Sequence, residues 1–406
     1  MNSSRTHLPS LFSSLLFLLG ALFFFSIGLF MGVTALISLL TGETVQAEQT
    51  IFFIALGFEG IILSFAAFFS FQKFLNKQAA EQDFVLSIPK VQIAICVLGA
   101  GIAILVGSQI NAVETINWLF LPVLNILAVV LPLWALLGFG TRRLPLGSRW
   151  QVWNVIGLGM TLGPLILIIL EVVVVIIAFV GIIIYIVTQP ELALEIQRFS
   201  QKMMTLDPNS EAALNLIAPY LNRPVVLFSA LSYFAIIVPA IEEIFKPIGV
   251  WIFIRKLESS AQGFAFGALS GASFALVETF GVSGQTGEWA GLLTSRIGTG
   301  ILHITTSALM GAAITLAWRE RRYFRLIGTY LLVITLHGFW NALAITYSFS
   351  TLADVVGQNS TLTTLQGPIT IGMGFLAIVM FAILVISNRK IIPSIRVFSG
   401  PPPHPQ

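Results

Sequence analysis

Long apolar runs, separated by short polar stretches, dominate the chain from end to end. A run of about 18 apolar residues is long enough to cross a bilayer as a helix. Ten stretches qualify, at roughly 11–40, 51–71, 91–110, 117–139, 152–188, 224–254, 262–280, 289–317, 326–347 and 368–387. They are continuously apolar and do not alternate with a period of two, which excludes a transmembrane barrel. The first run is too long for the core of a signal peptide, so it is read as a retained span although Val45-Gln46-Ala47 looks like a cleavage site.

Lys and Arg collect in alternate loops. One set holds Lys73, Lys77 and Lys90; Arg142, Arg143 and Arg149; Arg255 and Lys256; Arg319, Arg321, Arg322 and Arg325; and Arg389, Lys390 and Arg396. The other set includes TGETVQAEQT and SFSTLADVVGQNSTLTTLQ, with neither residue type. Positive loops stay in the cytoplasm. The expected fold class is therefore all-α, a polytopic transmembrane bundle of about ten spans in the cell membrane, with N and C termini cytoplasmic.

Composition agrees. Hydrophobic residues make up 56% and charged residues only 10%, against about 25% charged in a soluble domain. The net charge of +3 comes from topology signals in short loops, so no nucleic-acid partner is expected. A single cysteine, Cys96, excludes an internal disulfide framework and any multi-cysteine metal site.

The longest connection, 189–223, carries Leu192, Ile196, Phe199, Met203 and Leu206 at helical spacing, as expected of an amphipathic helix on the outer membrane surface. Asp207-Pro208 reads as the start of a second short helix. Three regions follow: a five-span N-terminal region 1–223 with this extracytoplasmic loop, a catalytic membrane domain 224–388, and a cytoplasmic disordered tail 389–406.

Ionisable side chains inside a membrane are costly and usually functional. The first five spans hold only Glu59 and Glu171 far from an end, read as structural or lumen-facing; the last five hold Glu242, Glu243, Lys246, Glu278, Arg296, His303 and His337. Of four histidines, the two outside the tails both lie in spans. Glu242 and Lys246 are four apart and can pair, leaving Glu243 available. Pro239 and Pro247 each remove a helical hydrogen bond, so the carboxylates sit in a helix kinked on both sides. Gly267 and Gly271 share a face with Glu278 and admit a close neighbour. Arg296 and His303 share a face, as do His337 and Asn341. At about 1.5 Å per residue, Glu243 and His337 lie ~18 Å from the cytoplasmic loops and His303 and Glu278 ~22–25 Å, one layer nearer the outer face.

Two histidines and a carboxylate can hold Zn2+, with Glu243, His303 and His337 as ligands and an open position for water. A second carboxylate is then the general base. A metal-free version has Glu243 and a histidine activate water while His337 and Asn341 donate to an oxyanion. Lys246 and Arg296 are counter-ions in both. A proton-coupled transporter is the alternative, since intramembrane Glu and His also relay protons, but no inverted repeat is present of the kind many carriers show.

Glu242-Glu243-x-x-Lys246, Phe274-x-x-x-Glu278, Arg296 followed by His303 and Gly311, and His337-x-x-Trp340-Asn341 together resemble the motif series of the PrsW family of intramembrane proteases. That family is similar to the CPBP (CAAX protease and bacteriocin-processing) group. The motifs fall in about 225–345; Thr279 stands where the family pattern has Asn. The resemblance implies Glu242, Glu243, Glu278, His303 and His337 as functional residues. It implies hydrolysis of a membrane-anchored protein substrate in the lipid bilayer, for PrsW itself the site-1 cleavage of an anti-sigma factor.

Overall fold

The computed structural model describes residues 7–84, 86–207, 210–221, 223–285, 287–355 and 363–398. Every regular element among them is helical. Ten stretches are long and apolar enough to cross a membrane: Leu8–Thr41, Ala47–Phe74, Lys90–Asn111, Glu114–Gly140, Arg149–Val187, Pro224–Phe253, Ser260–Val282, Trp289–Glu320, Tyr323–Thr351 and Thr363–Ile391. They are numbered as spans one to ten. The chain is a multi-pass helical membrane protein, as the apolar runs required.

Prolines account for the interruptions. The fifth span is two helices, Arg149–Met160 and Leu162–Val187, parted at Thr161. Pro164 has no N–H for the Met160 carbonyl, so the helix breaks one turn before it. The sixth span is a relay of short pieces: Pro224–Ser232, a π-helical turn Tyr233–Ile237, Val238–Phe245 and Ile248–Phe253. Pro239 and Pro247 bracket the piece that carries the two glutamates.

Packing divides the chain into two compact units. The first comprises Met1–Pro164, Glu243–Val333 and Ala377–Gln406; the second comprises Leu165–Glu242 and Ile334–Leu376. In the first unit the seventh and eighth spans are the core. Of their most apolar windows 78% and 89% is buried, against 17% for the first span. The second and fourth spans and the helix Arg149–Met160 pack around the seventh, and the first span packs on the second. Ser259 begins the seventh span by accepting a bond from the Gln262 N–H at 3.2 Å, the N-cap geometry. Thr305 anchors the eighth span to the tenth through the Met380 carbonyl at 3.3 Å.

In the second unit, the apolar side chains of Leu165–Val187 are mostly exposed, as befits a helix facing hydrocarbon. The amphipathic segment forms the helix Pro190–Met203, followed by Glu211–Leu221. Phe199 packs on Tyr220 with ring centroids 4.7 Å apart, and Arg223 bonds Glu195 at 2.6 Å. That bond holds the Glu195 carboxyl below its ordinary pKa. Pro208, expected to open the second helix, lies outside the described residues.

One boundary is corrected. The tenth span belongs to a helix running from Gln366 to Phe398, so the segment expected to be a disordered tail from 389 begins as helix. Residues 399–406 lie outside the described ones.

Candidate active site

In the first unit, five ionisable or polar side chains from three spans form one connected chain. Lys246, at the break before Pro247, places Nζ 2.5 Å from Glu243 Oε1 and 2.9 Å from His303 Nδ1. Both Lys246 and Glu243 side chains are 0% exposed. On the other side of the ring, His303 Nε2 is 2.6 Å from Glu278 Oε2. Arg296 grips the same carboxylate, Nη2 at 2.9 Å from Oε2 and Nη1 at 3.2 Å from Oε1. Its Nε donates to Thr279 Oγ1 at 3.2 Å. Phe274 meets the His303 ring edge to face at 5.2 Å.

The protons follow from the donors. An ammonium has hydrogens and no lone pair, so His303 Nδ1 accepts from Lys246. The neutral ring then carries its proton on Nε2 and donates it to Glu278. Read in order, the chain is carboxylate, ammonium, imidazole, carboxylate, guanidinium. The charges alternate and cancel, which is how buried ions are tolerated.

Glycines set the spacing of this chain. A Cβ at Gly271 would run into the backbone carbonyl of His303, one at Gly267 into that of Ser307, and one at Gly311 into that of Gly263. The seventh and eighth spans are therefore at backbone contact, and Glu278 and His303 are within a short bond because of it. Gly271→Val is expected to push the His303 helix away. A misplacement of about 1 Å costs ~10²-fold in rate. Cleavage assays beside circular dichroism check this: activity should fall while helix content holds.

The backbone around Lys246 is secured as well. Ser270 Oγ donates to the Lys246 carbonyl at 2.6 Å, and Trp251 Nε1 to the Ile244 carbonyl at 2.7 Å. These side chains serve carbonyls at the helix end that Pro247 creates.

In the second unit, Glu242 Oε2 lies 3.9 Å from His337 Nε2, with side chains 13% and 3% exposed. That is long for a hydrogen bond. Two ligands of one tetrahedral zinc ion are roughly 3.3–3.6 Å apart, so a small adjustment suits them to a shared cation. Asn341 Nδ2 donates to the Phe234 carbonyl at 2.8 Å, in the π-helical turn. Gly338 lies against the carbonyl of Ala235, the one that Pro239 deprives of its helical donor. Here the ninth span braces the kink in the sixth.

The two adjacent glutamates thus have different companions. The sequence pairs Lys246 with Glu242 and leaves Glu243 available; the structure pairs Lys246 with Glu243 at i, i+3. Three- and four-residue spacings are both neighbours on a helix, and Lys246 also has to reach His303. Asn341, read as an oxyanion donor, has a backbone carbonyl as its partner. Arg296 is a counter-ion as expected, to Glu278. Ser270 carries no motif signal and is found only through its contact; Thr279, marked in the sequence only as a departure from the family pattern, accepts from Arg296. Glu59 is buried within the first unit.

The sequence model of a family described as PrsW family intramembrane metalloprotease matches residues 149–385, more than half of the chain. The matched region begins at Arg149 and so takes in the fifth span, where none of the motif residues lies. No curated protein and no solved structure matches the chain.

Proposed function

The chain belongs to the PrsW family of intramembrane metalloproteases, and on that premise we propose that it hydrolyses a peptide bond of a membrane-anchored protein near the outer face of the membrane, using Glu278 as the base that activates water. The substrate class rests on the family resemblance, which names an anti-sigma factor as one such protein. The observation that carries the proposal for the base is the unequal exposure of the two carboxylates flanking His303. Glu243 is 0% exposed and held by Lys246, whereas the Glu278 side chain is 38% exposed.

The family description implies a metal, and the donor types fit one. We propose Glu242, His303 and His337 as its ligands. The 3.9 Å spacing of Glu242 and His337 supports two of them, and motif order and residue type support His303. Glu242 replaces Glu243 in the ligand set because Lys246 already neutralises Glu243. Ligation through His303 would displace its Nε2 bond to Glu278 and free that carboxylate for water. Zinc supplies Lewis-acid polarisation of the scissile carbonyl and a lowered pKa for water.

The chain's own residues have separate tasks. Glu278 takes a proton from the attacking water and delivers it to the departing amine nitrogen. Arg296 holds that carboxylate by one hydrogen bond and a close ion-pair contact and so fixes its direction. Lys246 fixes the His303 ring from the far side. Asn341 and Gly338 keep the kinked sixth span in register, and with it the direction of Glu242.

The test is reconstitution. Purified protein in liposomes with a single-span substrate should cut it, and His303→Ala and Glu278→Gln should each lose cleavage by about 10²–10⁴-fold. Full activity of Glu278→Gln would remove it as the base. Substrate left intact by the wild type, together with ion flux, would support the transport alternative.

A further inference from the structure

A large cavity in the first unit is lined by none of the residues of the Glu243–Arg296 chain. Its volume is about 1040 Å³. Its walls come from the ends of the second, third, fourth, fifth and seventh spans and the loops that join them. The loop pairing of Gln82–Phe84 with Gly147–Arg149 forms one side, with Phe84 N to Gly147 O at 2.7 Å and Arg149 N to Gln82 O at 2.9 Å.

The lining holds five Lys and Arg side chains against three carboxylates. Two of the ammoniums converge on one indole: Lys73 Nζ is 5.4 Å and Lys256 Nζ 5.0 Å from the Trp150 ring centroid. Trp150 is 5% exposed and cannot move aside. His7 lies against the same indole at 5.5 Å, with Nε2 3.4 Å from Lys256 Nζ. Lys73 is also paired with Glu81. Burial, then the Lys73 charge, lowers the Lys256 ammonium below its usual pKa. Burial, then Lys256 and Lys73, lowers the His7 imidazole as well. Gathered like charges favour an anion among them.

Topology explains why these residues are basic, since all the loops concerned belong to the Lys- and Arg-rich set. It does not explain a walled cavity or two ammoniums held at one buried ring. We propose that this cavity is a binding site for a phosphate-bearing anion, held by Lys73, Lys256 and Arg142 over the Trp150 indole. Two sources share that chemistry: the headgroup of an anionic phospholipid and a free phosphate compound. The basic loops assign this end to the cytoplasmic leaflet, where anionic lipids concentrate. None of these residues belongs to the proposed catalytic group, so the inference stands apart from it.

The experiment uses the full chain in nanodiscs of neutral phosphatidylcholine. Phosphatidylglycerol is doped in for one arm, and inorganic pyrophosphate is titrated in the other. Retained lipid is counted by native mass spectrometry and pyrophosphate binding by calorimetry. The comparison is wild type against Lys256→Met/Arg142→Gln and against the charge-keeping Lys256→Arg. Each charge near a membrane surface contributes about five-fold, so the double variant should bind about thirty-fold more weakly. Lys256→Arg should stay near wild type, which separates charge from folding. Loss confined to the lipid arm assigns a headgroup site, and loss confined to the pyrophosphate arm assigns a free phosphate ligand. Equal binding by wild type and double variant in both arms, or no binding by the wild type in either, overturns the proposal.

Discussion

Lys246→Met is expected to cost about 3–5 kcal/mol of stability, the penalty for leaving a buried charge without its partner. It is also expected to lower cleavage by about 10²–10⁴-fold. The first effect arises because Glu243 is 0% exposed and has the Lys246 ammonium 2.5 Å away. The second arises at His303. With no ammonium at Nδ1, the ring loses the contact that fixes its orientation toward Glu278. Methionine keeps most of the lysine stem, so little volume is lost, while the ammonium and its contact with the Phe274 ring, 5.7 Å from the centroid, are removed. Lys246→Arg should fare little better, because a planar fork does not fit where a point charge serves two acceptors. The informative companion is the double variant Lys246→Met/Glu243→Leu. An apolar pair often replaces a buried ion pair at no loss of stability, so the melting temperature should return toward wild type while cleavage stays low. A single variant as stable and as active as wild type would show that the ion pair is not formed in the membrane.

The ten spans were legible because length and continuous apolarity are properties of single segments. Pro164, Pro239 and Pro247 likewise mark breaks that follow from one missing N–H each. The π-helical turn at Tyr233–Ile237 had no such local marker, since it is braced by Asn341 and Gly338 from a span a hundred residues later. Identity of the candidate residues was readable for the same reason as the spans: a histidine or glutamate in hydrocarbon stands out against its neighbours. Their partners were not. Lys246 had two equally near glutamates by helical spacing, and the choice between them depends on His303, which the sequence places on another helix. The Arg296–Glu278 pair and the Thr279 contact also join different spans. The cavity at Trp150 was invisible because its walls come from loops read only as topology signals.

Glu242→Gln and His337→Ala are each expected to strip the metal from the purified protein, whereas Glu243→Gln should keep it. The distinction follows from the companions of the two adjacent carboxylates. Glu243 is neutralised by an ammonium at hydrogen-bond distance, and a carboxylate so paired is a poor ligand. Glu242 lies 3.9 Å from His337, a spacing that a small adjustment suits to two ligands of one cation. Elemental analysis of wild type should give about one zinc per chain, with the two ligand variants well below it, since structural and catalytic sites lose affinity when a ligand is removed. Chelation should stop cleavage by wild type, and added zinc should restore it. The same treatment should leave Glu242→Gln and His337→Ala inactive, at a loss of about a thousand-fold or more for the several kcal/mol that a metal contributes. If Glu243→Gln lost the metal and Glu242→Gln kept it, the ligand assignment would be reversed. If all three variants kept zinc and wild-type cleavage withstood chelation, the metal would have no part in the reaction, and Glu278 with His303 would have to activate water unaided.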